Sequence, residues 1–98
     1  MGSLIYDESV ILDTDDRTLM HLQAVVLGRF RREEGFVLDL LQDGQLVSVW
    51  VPQQVVLTFH YSGTRLFLLN QIWIEDMVDE VGRNGALRIT PEPTMTFG

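Results

Sequence analysis

A chain of 98 residues with a net charge of -7 has room for one modest core, and its surplus of acid opposes direct binding to nucleic acid or to an anionic membrane surface. It contains no cysteine, which removes disulfides, thiolate chemistry and cysteine zinc sites. All seven basic residues are arginines, so Schiff-base, lysine-adenylate and P-loop lysine chemistry are excluded as well.

The first predicted elements are short strands at Leu4 to Tyr6 and Val10 to Leu12, folded as a hairpin about "DES". Leu19, Leu22, Val26 and Phe30 then recur at helical spacing and predict a helix running to about Arg32, with Gly35 as its breaker. From Phe36 the period changes to two. "FVLDLLQ", "LVSVWV" and "VVLTFHY" read as a three-stranded antiparallel meander, its first turn made by Asp43-Gly44 and its second by Pro52, Gln53 and Gln54. A second helix is predicted within Leu66 to Val81, with Leu66, Trp73, Ile74, Met77 and Val81 as its apolar face and "GRNG" as its end. "ALRIT" adds a last strand before "PEP". The expected architecture is α+β in the order ββαβββαβ: one antiparallel sheet of five to six strands with both helices on one face. Residues 1–93 are expected to form a single domain and residues 94–98 a mobile tail.

Asp13, Asp15 and Asp16 could coordinate a hard cation, but acids directly before an apolar helical run are the expected cap and dipole complement. No metal site and no cofactor is assigned. His21 is placed on the face opposite Leu22 and Val26, in a stripe with Arg17, Gly28, Arg31 and Arg32 that could receive an anion or a closely packed helix. His60 reads as a sheet-surface residue with no partner acid or nucleophile in evident reach, so no catalytic residue is assigned. Asn70, inside the apolar face of the second helix, needs hydrogen-bond partners, expected from loop backbone near Ser62 to Arg65.

The less easily explained group is Glu75, Asp76, Asp79 and Glu80. These acids oppose the helix dipole and repel one another at i,i+4, and with Leu68 and Ile72 on the same side they read as a contact surface.

"DDRTLMHLQ" at Asp15 to Gln23, "RFRREEGF" at Arg29 to Phe36, "SGTRLFLLNQIWIE" at Ser62 to Glu75 and "LRITPEP" at Leu87 to Pro93 resemble a family of small actinobacterial proteins of unknown function. Many members of that family carry the automatic label "ATP-dependent DNA ligase". Ligase catalysis would need a lysine nucleophile, and this chain has none. The expectation is therefore a cytoplasmic, non-catalytic interaction module that binds a protein partner or itself. A small anion- or nucleotide-binding protein is the alternative, and an accessory role in DNA repair rests on the family label alone.

Overall fold

The computed structural model describes residues 1–94; the predicted tail lies, apart from Thr94, outside them. The elements follow the expected order: β1 (Gly2–Tyr6), β2 (Ser9–Thr14), α1 (Asp16–Arg31), β3 (Phe36–Gln42), β4 (Gln45–Val51), β5 (Leu57–His60), α2 (Gln71–Asn84) and β6 (Ala86–Arg88). The class is α+β.

The strands form two sheets of three rather than one, in the orders β2-β1-β5 and β4-β3-β6. The β3–β4 hairpin is as expected, with Asp43 and Gly44 both at positive φ (50° and 76°), as a turn of type I′ requires. The third strand of the predicted meander leaves it. Pro52 to Val56 carry the chain away from β4, and β5 pairs antiparallel with β1, Leu4 opposite Phe59. The place beside β3 is taken by β6, which runs parallel to it with Leu38 opposite Leu87. This parallel pair is a second departure from the antiparallel expectation, and α2 supplies the crossover that a parallel connection needs.

One core draws on every layer: Leu4 from β1, Leu19, Leu22, Val25 and Val26 from α1, Phe36, Leu38 and Leu40 from β3, Val51, Leu87, and Trp73, Met77 and Val81 from α2. The helices pack on each other, α1 also against β1 and α2 against β6. Asp15 caps α1, its carboxylate accepting from the Thr18 N–H at 2.9 Å and the Thr18 hydroxyl at 2.7 Å. Gly35 does not end this helix. Arg32 is the C-cap, and Glu33 takes the left-handed conformation at φ 57°.

The second helix starts later than its apolar spacing suggested. Asn70 is its N-cap, accepting from Ile72 N–H at 3.1 Å and Trp73 N–H at 3.3 Å, and Gly85 ends it at φ 71°. Leu66 and Leu68 therefore belong to the extended segment before the helix, not to one of its faces.

Candidate interaction surfaces

The carboxylates at the start of α1 are separately employed. Asp13 accepts from the Ser3 hydroxyl, Asp15 caps the helix, and Asp16 accepts from the backbone N–H and hydroxyl of Ser62. The Ser62 bonds hold the Asp16 carboxyl below the usual range. Asp16 thereby ties the end of β5 to α1 and positions the segment that follows.

His21 stands elsewhere than expected. It is completely buried, stacked on Trp73 of α2 with ring centroids 4.6 Å apart. Its Nε2 accepts from the Asn70 backbone N–H at 2.8 Å. A peptide nitrogen can only donate, so Nε2 is bare and the proton sits on Nδ1, which donates to the Arg17 carbonyl at 2.8 Å. Val25, one turn further on, is buried too and marks the widened core-facing arc that His21 shares.

Arg17 is likewise committed. Its Nε and Nη2 donate to both carboxylate oxygens of Glu92, at 2.8 and 2.7 Å, and Nη1 reaches the Leu68 carbonyl at 3.3 Å. Glu92 also accepts from Asn70 Nδ2 at 3.1 Å, while the same amide donates to the Pro93 carbonyl at 2.9 Å. Arg17 first, then Asn70, draws the Glu92 carboxyl down to about 2. Asn70 thus finds its partners in its own helix and in the segment after β6, not near Ser62 to Arg65.

The basic stripe consequently does not assemble. His21 and Arg17 face inward to the Asn70–Glu92 junction, while Gly28, Arg31 and Arg32 lie exposed at the far end of α1. An anion would find neither His21 nor the charged head of Arg17 free. Among the described residues the helices do not pair through opposite charges: Arg17 bonds Glu92 and Arg29 bonds Glu34, and what joins them includes the His21–Trp73 stack and the Asn70 N–H bond to His21.

Two surfaces remain open beside this junction. The first is a groove of about 560 Å³ between α1 and residues 61–69, lined chiefly by Met20, Ala24, Leu27, Tyr61, Phe67 and Leu69. Tyr61 is fixed by its hydroxyl donating to Gln23 Oε1. Two guanidinium groups lie over Phe67, Arg65 at 4.8 Å and Arg17 at 6.0 Å from the ring centroid. Its chain neighbours Leu66 and Leu68 are 85% and 76% exposed. The sequence reading missed this groove because it placed both leucines on a helix.

The second open surface is the acidic side of α2. Ile72, Glu75, Asp76 and Asp79 are exposed; Glu80 is half-buried and accepts from the Asn84 amide at 2.9 Å. Among the described residues none of these acids forms a salt bridge.

No described helix is long and apolar enough to cross a membrane, and no three His, Asp or Glu side chains among the described residues converge as cation ligands would. No curated protein and no solved structure matches the chain. A family described as a domain of unknown function, DUF7882, matches residues 1–92, nearly the whole of the chain, and the protein belongs to that family.

Proposed function

We propose that the protein is a non-catalytic interaction module that seats an apolar segment of a protein partner in the groove between α1 and residues 61–69. The observation that carries this reading is the bare Leu66 on the lining of an apolar groove that is already open, with Leu68 bare two residues on. Apolar surface of this kind costs free energy in water and is recovered when a partner covers it. Arg65, at the rim and stacked on Phe67, suits a partner segment that brings a carboxylate next to its apolar residues. Two polar groups that catalysis could draw on, His21 and Arg17, have structural work instead: His21 uses both ring nitrogens and Arg17 holds Glu92.

The acids of α2 favour a second contact, with a basic patch of a partner. They repel one another at i,i+4, Glu75 with Asp79 and Asp76 with Glu80, and among the described residues none of them forms a salt bridge.

A photo-crosslinking residue at Leu66, compared with the same probe in a chain whose groove is filled by Ala24→Trp, tests the proposal.

A further inference from the structure

The junction around Asn70 carries a further inference. Two stretches of chain meet there, and both are poor in backbone bonds: among the described residues no backbone–backbone hydrogen bond reaches Thr64 to Leu69 or Thr90 to Glu92. Side chains fasten them instead. Arg17 holds the Leu68 carbonyl and Glu92, the Asn70 amide holds Glu92 and the Pro93 carbonyl, and the Trp73 indole N–H donates to the Thr90 carbonyl at 2.9 Å. His21 fastens the backbone between the two stretches, at the Asn70 N–H.

That last tie hangs on one nitrogen. The imidazole is completely buried and its Nε2 accepts, so the bond exists only while Nε2 is bare. A proton there sets N–H against N–H where the two nitrogens stand 2.8 Å apart, and leaves a charge in the interior against the Trp73 ring. The closed arrangement has nothing to receive that proton. Nδ1 already donates to the Arg17 carbonyl, and α2 faces the ring with Trp73 and Asn70, which do not titrate. The charged groups of the junction are Arg17, on the same helix, and Glu92, from the segment after β6. Glu92 accepts from the side chain of the same Asn70, which makes it an acceptor for a protonated ring once the Asn70 backbone has moved off.

We infer that the His21–Asn70 bond is an acid-released latch: protonation of Nε2 opens the start of α2 and frees the two bond-poor stretches, while the second sheet stays closed. That sheet stands on its own backbone ladders, β3 with β4 and β3 with β6. Thr64 to Phe67 and Leu69 form one wall of the groove beside α1. On the reading proposed above, acid therefore releases a bound partner; the latch itself does not depend on that reading.

The experiment is amide hydrogen exchange of the full chain without any partner, followed by NMR from about pH 7.5 to about pH 5, which stops above the window in which Glu92 takes up its proton. Protection factors, which remove the intrinsic pH dependence of exchange, are compared for Asn70, Ile72 and Trp73 at the junction and for Leu38 in β3. Histidine in water titrates near ~6.5, so an opening that takes up one proton costs the junction amides roughly tenfold in protection per pH unit below about 6. Leu38 is expected to keep its protection. Over the same range the nitrogen signal of His21 Nε2 is expected to pass from bare to protonated. His21→Gln offers an acceptor with no proton to gain, and its junction amides are expected to hold one level of protection throughout. Glu92→Gln, in which the other titrating group is gone, is expected to keep the wild-type slope. A flat wild type, equal slopes in the wild type and His21→Gln, an Nε2 that stays bare while protection falls, or a loss at Leu38 in step with the junction would overturn the inference.

Discussion

The Asn70 peptide N–H and the His21 imidazole face each other across 2.8 Å in the interior, and this bond joins the two helices. It fixes the tautomer of His21, closes a free N–H at the start of α2, and brings the Asn70 side chain to Glu92 and through it to Arg17.

His21→Ala leaves the Asn70 N–H and Arg17 carbonyl without partners in a cavity beside Trp73, and should cost about 3 kcal/mol of unfolding free energy. His21→Phe fills the space without the bonds and should lie between that variant and the wild type. Urea denaturation measures both. Nitrogen NMR of the wild type should show Nδ1 protonated and Nε2 bare.

Asn70 serves as both a cap and a strut, and two substitutions separate these roles. Aspartate is as good a cap as asparagine, while alanine loses a cap worth about 1 kcal/mol. The carboxylate introduced by Asn70→Asp, however, would stand against that of Glu92 and could not donate to the Pro93 carbonyl. If the strut matters, Asn70→Asp melts as low as Asn70→Ala; a melting temperature equal to that of the wild type would assign Asn70 a capping role alone.

Glu92 sets an acid-side window. Its carboxyl is lowered from an ordinary 4.5 to about 2 by Arg17 and Asn70. Its contribution is therefore complete above the ordinary value and is lost as pH falls from about 4.5 through about 2. Glu92→Gln should be less stable than the wild type at neutral pH and should show a flatter loss of melting temperature across that window. Parallel curves for the two proteins would show that Glu92 is not linked to folding.

Acids in the C-terminal half of α2 predict a gain on reversal. Asp79→Arg gives Glu75 and Asp76 a cation one turn on, which outweighs the like charge it sets before Arg83, and should raise stability by about 0.5 kcal/mol. A basic partner should bind this variant more weakly, so stability and binding move in opposite directions. Loss of both would mean that Asp79 supports the fold.

Much of this architecture is written in local pattern. The change of period at Phe36 marks the passage from helix to sheet, Asp43-Gly44 marks the hairpin, and Trp73, Met77 and Val81 mark the buried side of α2. What local pattern leaves open is pairing: β5 is a convincing strand from its residues, but its choice of β1 over β4 is settled by the path of Pro52 to Val56 and by the core that both sheets share. The same limit explains the candidate sites. An arc through Leu19, Leu22, Val26 and Phe30 alone turns His21 outward, whereas one widened to Val25 takes it in, and Leu66 and Leu68 share the spacing of the helix that follows them. Asn70 carried the missed signal, since an asparagine before an amphipathic run is a preferred N-cap. Glu92 had no signal of its own, for its role depends on β6 bringing the end of the domain back to α1.

The interaction module itself is tested most directly at Leu66. With a photo-crosslinking residue at that position in the native cell, the account predicts one protein partner captured by the wild-type groove and lost when Ala24→Trp fills it, with melting temperature unchanged. Equal capture by the open and filled grooves, or no capture by either, would contradict it.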